Sequence, residues 1–206
     1  MPHKTKITSE TTERSYKVLF GIMLAASVVG LFASAVLSYE ALVLAKDSNT
    51  VLSCDLNAIV SCGTVAKHWS AHLFGFPNSF IGMMAFPVFI TIAVAGLARV
   101  RFPKWFMQAA QIGAIISTLF AGWMFYMSYV VIQALCPWCL TTDAATLVLL
   151  FSLIRYNAKN NTLCLGGIMR DRLVRAVEKD YDLFALMVVI VGIVIAIIAK
   201  YGNSLF

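Results

Sequence analysis

The chain has 206 residues, 60% of them hydrophobic and 13% charged, with a mean hydropathy of +0.83. That composition lies far outside the range of a soluble domain and excludes one. It also decides how the net charge of +6 is read: in a chain built for lipid, basic residues report topology, and no nucleic-acid partner is expected.

A spanning helix needs about 20 mostly apolar residues, and the sequence supplies five such runs. The first, Val18 to Ala45, follows a polar tail of residues 1–17. Its apolar region is too long for a signal peptide and no small-x-small site follows, so it is read as a retained helix. Within it Ala26, Gly30, Ser34 and Ser38 form a small-xxx-small stripe that lets a second helix approach closely. A loop from Lys46 to Asn78 leads to the second span, Ser79 to Ala98, which tolerates Pro87 as membrane helices do. The run from Phe106 to Ile154 is too long for one crossing at about 1.5 Å per residue, so a break is expected at Cys136-Pro137. Leu183 to Ala199 is the fifth span.

Basic residues crowd three segments: the amino-terminal tail (Lys4, Lys6, Arg14, Lys17), the second connection (Arg99, Arg101, Lys104) and the fourth (Arg155, Lys159, Arg170, Arg172, Arg175, Lys179). By the positive-inside rule these lie in the cytoplasm, with the amino terminus inside and the carboxyl terminus outside. Four cysteines then face the outer compartment: Cys54 and Cys62 in the long loop, Cys136 and Cys139 at the membrane edge. Cys164 is left in the cytoplasm with no assigned role.

An oxidising outer compartment lets disulfides persist. Two cysteines at i and i+3 on the first turn of a helix share a side and can close a disulfide, and the helix amino terminus favours the reactive thiolate. Cys139 would sit just under the membrane surface, within reach of a lipid-dissolved molecule, and Cys136 one turn outward, better placed to meet a loop sulfur. The competing readings are a zinc site of four thiolates and a purely structural pair of disulfides in a non-enzymatic membrane protein. In the loop, Val65, Trp69 and Leu73 recur every four residues and predict a short helix lying on the membrane. His68 and His72 are read as exposed polar residues, and Asn78 as the cap of the second span. Asp143, one turn past Cys139, is a functional candidate because charge is costly at membrane depth.

The motifs "SCDLNAIVSCGTV", "GFPNSFIGMMAFPV" and "CPWCLTT", spread over Cys54 to Thr142, together resemble the vitamin K epoxide reductase family, in particular its bacterial five-helix members. The resemblance implies an all-α membrane fold: a four-helix bundle around a quinone (menaquinone or ubiquinone), capped by the loop helix, with a fifth helix beside it. It implies that Cys139 reacts with quinone, that Cys136 exchanges with Cys54, that Cys62 pairs with Cys54, and that Asn78 binds a quinone carbonyl. Asp143 stands where vertebrate members carry a tyrosine, which makes it a second, altered quinone contact and epoxide chemistry less expected. The length leaves no room for the fused thioredoxin-like domain of many bacterial members, so a separate secreted or periplasmic partner is expected. The organisation expected is a cytoplasmic tail (1–17), a catalytic four-helix bundle (18–156) with its outer loop (46–78), a basic cytoplasmic loop (157–182), and a fifth helix with an outer tail (183–206) in the plasma membrane. The function implied is a thiol oxidase that reoxidises the partner and passes electrons to quinone; a quinone or epoxide reductase for quinone recycling is the alternative.

Overall fold

A computed structural model describes residues 3–57, 59–162 and 167–205; Cys164 lies outside them. The described residues are organised by helices, with a single isolated β-bridge and no strand. Helix α1 (His3–Lys46) is followed by the short α2 (Cys62–Lys67) in the loop, then α3 (Ser79–Leu97), α4 (Lys104–Tyr126), α5 (Pro137–Lys159), α6 (Gly167–Glu178) and α7 (Tyr181–Leu205). Five of these are long and apolar enough to cross a membrane: Ser15–Lys46 within α1, α3, Lys104–Ile132, α5, and Tyr181–Gly202 within α7. The protein is an all-α integral membrane protein.

Helices α1, α3, α4 and α5 form the bundle, α1 packing against both α3 and α5, and α4 against α5. Lipid removes the hydrophobic drive between helices, so association depends on close packing and buried polar contacts. The small-residue stripe of α1 provides both. A Cβ on Gly30 would come within 2.3 Å of the Phe86 ring, and one on Gly82 within 2.3 Å of Ser34 Oγ. Ser38 Oγ donates to the Ser34 carbonyl at 2.7 Å and lies within hydrogen-bonding distance, 3.0 Å, of Ser79 Oγ. Below the stripe, Phe20, Met23, Phe89, Ile92, Met107, Leu149 and Leu153 fill the centre.

The segments rich in lysine and arginine gather at one end of the bundle, where Tyr16 meets Tyr156 edge to face and Gln108 Nε2 donates to the Thr162 carbonyl at 2.6 Å. The 46–78 loop and the α4–α5 turn occupy the other end. Three features differ from the sequence expectations here. Helix α1 begins at His3, so most of the polar tail continues the first span as helix. Helix α6 occupies much of the basic connection, turning buried Val177 inward and Arg170, Arg172 and Arg175 outward. The break between the third and fourth spans comes earlier than Pro137: α4 widens into a π-helical turn over Met127–Ile132 and stops at Gln133, whose φ of 59° is left-handed.

The π turn also explains how α7 is held. Such a turn frees carbonyls from the regular ladder, and the Tyr129 carbonyl accepts from Tyr201 Oη at 3.0 Å and from Lys200 Nζ. Tyr129 Oη donates in turn to the Ala196 carbonyl at 3.0 Å. At the far end Arg155 pairs with Asp180 and, at 3.5 Å, with Asp182.

The α1–α3 contact gives a stability prediction. Overpacking a tight contact costs about 1–3 kcal/mol. Gly82→Val therefore lowers the thermal midpoint in detergent by several degrees, whereas Gly113→Ala, whose added Cβ meets nothing within 4 Å, leaves it unchanged or higher.

Candidate redox site

The loop that carries Cys54 and Cys62 is organised around one carboxylate. Asp55 Oδ2 accepts from the Leu52 amide at 3.0 Å, and Oδ1 accepts from Ser61 Oγ at 2.7 Å and from the Gly63 amide at 2.9 Å. A side chain at position 63 would press a Cβ to 2.8 Å from Asp55 Oδ2, so the site requires glycine. Burial alone would raise the Asp55 carboxyl, but the bonds from Gly63, Leu52 and Ser61, with Lys67 nearby, hold it below the ordinary carboxylate range. The knot brings Cys54 and Cys62 together as a disulfide with a Cα–Cα distance of 5.7 Å.

The loop is then pinned to the α4–α5 turn. Val60 and Leu135 form the isolated parallel bridge, with Leu135 N–H donating to the Ile59 carbonyl at 2.6 Å and Ser61 N–H to the Leu135 carbonyl at 3.0 Å. Ser128 Oγ fixes the same turn by donating to the Ala134 carbonyl at 2.5 Å. One residue beyond each bridging bond sits a cysteine, and the consequence is direct: Cys136 Sγ lies 3.2 Å from Cys62 Sγ. Leu52, Cys54, Cys62, Val65, Ala134 and Cys136 form a small buried core around the sulfurs.

The resemblance has Cys136 exchange with Cys54; in this structure the sulfur in contact with Cys136 is that of Cys62. Cys62 lies on the first turn of α2, and the bridge carries that turn to the start of α5; Cys54 sits on the other limb of the loop, against α1.

Cys136 and Cys139 are free thiols. Cys136 occupies the N-cap of α5 with Pro137 beside it, and its Sγ accepts from the Cys139 amide at 3.3 Å. Proline at the first helical position loses no hydrogen bond, so the motif is a good helix start as well as a dithiol. Cys136 is 1% exposed, while Cys139, one turn in, lines a cavity of about 320 Å³ among the four bundle helices. The cavity walls are mostly apolar, with Asn78, Asp143, His72 and Thr142 among the polar residues that reach them.

Asn78 stands at the N-cap of α3 but does not cap it. Its own backbone is helical, and its Nδ2 donates to the Ser70 carbonyl at 2.6 Å. Its Oδ1 is buried without a partner among the described residues. A buried unpaired acceptor is costly unless a ligand meets it. The amide orientation follows from that hydrogen bonding, and the group it leaves open accepts a hydrogen, where the resemblance anticipates donation to a quinone carbonyl. An apolar cavity with a free polar atom beside a thiol fits a quinone ring.

The predicted loop helix is two pieces. Helix α2 ends at extended His68, and Trp69–His72 form a separate 3₁₀ turn that His68 Nδ1 caps by accepting from the Ser70 amide at 3.3 Å. The expected stripe is therefore split. Val65 is buried in the sulfur core, while Trp69 is exposed against Trp123. Of the two histidines expected on the surface, His72 is exposed and His68 is half-buried in its capping role.

One residue of the site was not picked out from the sequence. Glu40, near the end of α1, is 5% exposed. Its carboxylate oxygens lie 3.3 and 3.4 Å from Cys54 Sγ, and Oε1 accepts from Ser53 Oγ at 3.2 Å. The signal was present: Glu40 is the only charged residue between Lys17 and Lys46, and an acidic residue inside a span points to function by default. Glu40, Cys54 and Cys62 are also the one grouping of metal-binding side-chain types among the described residues. With both sulfurs joined to each other, that grouping offers no thiolate.

The depressed Asp55 carboxyl sets a pH expectation. Its contribution is present above the usual aspartate value of about 4 and is lost as pH falls through its lower folded value. Reduction of Cys54–Cys62 by a phosphine, which needs no thiolate, should accelerate as pH drops below about 4, and Asp55→Asn should be fast already at neutral pH.

No curated protein matches the chain at a significant level. The sequence profile described as the Vitamin K epoxide reductase family, however, matches residues 21–154, well over half of the chain and the whole of the sulfur site and its cavity. With two cysteine pairs meeting at the rim of a membrane cavity, the chain belongs to the vitamin K epoxide reductase family.

Proposed function

We propose that the protein is a membrane thiol oxidase: it takes two electrons from a separate thioredoxin-like partner in the outer compartment and delivers them to a membrane quinone. Family membership implies an oxidoreductase, quinone-linked and associated with a thioredoxin-like partner. The observation that carries the finer reading is the 3.2 Å contact between Cys62 and Cys136, with Cys139 one turn away on the cavity wall. The contact joins a loop disulfide to a dithiol at the cavity.

The exchange chemistry runs through thiolate attack on disulfide sulfur. A thiolate of the reduced partner attacks the sulfur of Cys54, the more exposed residue of its pair at 7% against 2%, and Cys62 leaves as a thiolate. Cys62 attacks Cys136 in a Cys136–Cys139 disulfide, and Cys139 leaves as a thiolate. The partner's second thiolate attacks its own sulfur bound to Cys54, so the partner departs with a disulfide and Cys54 is reduced. Cys54 then attacks Cys62, restoring Cys54–Cys62 and freeing Cys136. The sequence ends with Cys54–Cys62 oxidised and Cys136 and Cys139 reduced, which is the state of the structure. A quinone, when bound in the cavity, would supply the two-electron, two-proton sink that the Cys136–Cys139 dithiol needs to close as a disulfide. Asn78 would hold the reduced form, its free Oδ1 accepting from a ring hydroxyl, with Asp143 beside Cys139 on the same wall. On this reading the cysteine end of the bundle faces outward and the basic end the cytoplasm, in a plasma membrane.

The deciding experiment is quinone reduction by purified protein with dithiothreitol or a reduced thioredoxin-like protein as donor. The wild type should turn over, and Cys139→Ser should fall at least about 100-fold; a Cys139→Ser variant with wild-type turnover would end this reading.

The order of the relay has its own test. In Cys54→Ser/Cys139→Ser, mild oxidation should produce a Cys62–Cys136 disulfide, detected by peptide mapping. The converse variant Cys62→Ser/Cys139→Ser should form Cys54–Cys136 at least about tenfold more slowly, because attack requires aligned sulfurs already in contact.

A further inference from the structure

The relay uses four cysteines and leaves one buried acid beside them without a task. Glu40 rises from the end of α1 to the sulfur core, and both its oxygens approach the same atom, Cys54 Sγ. In the disulfide form that sulfur carries no proton, so a carboxylate gains nothing from it. The contact acquires meaning when Cys54 is reduced. A thiolate and a carboxylate about 3.3 Å apart in a site almost closed to water repel strongly, so the two groups hold one negative charge and one proton between them. Ser53 Oγ donates to Oε1 and so steadies the carboxylate whenever the proton is on sulfur.

We propose that Glu40 is the acid–base residue of the loop pair, moving the proton that Cys54 must gain on release and lose before attack. The assignment deepens the thiol-oxidase reading and rests on it for its physiological direction. When the partner's second thiolate breaks its bond to Cys54, the electron pair of that bond stays on Cys54 Sγ, and the Glu40 carboxyl transfers its proton there. When Cys54 attacks Cys62, the Glu40 carboxylate takes the proton back as the Cys54–Cys62 bond forms and Cys136 leaves with the electrons of the broken Cys62–Cys136 bond. Glu40 ends the cycle in the protonation state in which it began. The arrangement lets a cysteine buried beside lipid react without a free water molecule at the sulfur.

The test uses the full chain in detergent, with dithiothreitol as reductant and Glu40→Gln as the near-isosteric variant. Dithiothreitol reduces Cys54–Cys62 by the same two attacks, so the single-turnover rate reads the proton step directly. General acid–base catalysis contributes typically 10²–10⁴-fold; the expected result is a loss of about 10–100-fold in reduction of Cys54–Cys62 at neutral pH, partly restored by Glu40→Asp. Alkylation of the free Cys139 by N-ethylmaleimide is read in the same samples and should be no slower than in the wild type. Wild-type reduction kinetics in Glu40→Gln would overturn the assignment, and so would an equal loss of Cys139 alkylation, which marks a packing role. Absence of quinone turnover in the wild type would instead refute the thiol-oxidase reading, with the Glu40 assignment still decided by the dithiothreitol rates.

Discussion

Two backbone hydrogen bonds hold the whole site together. They join Ile59 and Ser61 to Leu135, segments that lie more than 70 residues apart and that no side-chain pattern would pair. A two-bond bridge has little intrinsic stability, and it persists because both of its sides are fixed independently. Asp55 gathers the loop into a knot, while the π turn, the left-handed Gln133 and the Ser128 hydroxyl fix the turn before α5. The bridge only has to bring two rigid pieces into register. Once it does, the chain direction leaves Cys62 and Cys136 adjacent, and the sulfur contact follows from the backbone.

The placement of that contact also separates two environments. Above it are the exposed residues of the loop, Ser53 and Leu56 among them; below it the cavity opens between apolar helix faces. Irregular backbone is tolerated at membrane depth only where protein covers it or a cavity is lined by it, and the α4–α5 turn meets this condition by lying under the loop. The loop is therefore cover for the polar backbone of the turn as well as carrier of a disulfide. The same economy is visible in α7, where one carbonyl released by the π turn becomes the anchor for two side chains of the fifth helix.

Much of this was readable in the residues. Five apolar runs gave five spans because lipid imposes one length on every crossing, and the stripe of Gly30, Ser34 and Ser38 marked the closest helix contact because only small side chains permit it. The cysteine spacing located the site. What could not be read was which loop sulfur meets Cys136, since that depends on a backbone bridge with no sequence signature. The split of the loop helix at His68 was hidden for a similar reason: the apolar spacing of Val65, Trp69 and Leu73 persists although only Val65 turns inward. Asn78 looked like a cap because asparagine before a span often is one, and tertiary contact with Ser70 overrode that preference. Glu40 was legible as the lone charge of the first span, but its role depends on a neighbour 14 residues away in the loop.

The sulfur of Cys136 both touches Cys62 Sγ and finishes a helix, since it accepts the Cys139 amide at the start of α5. The bond is made with Cys136 outside any disulfide, so the helix end depends on what that sulfur is joined to. The first turn of α5 thus ties the fold to the bonding of one sulfur, through nothing more than the place where a helix begins.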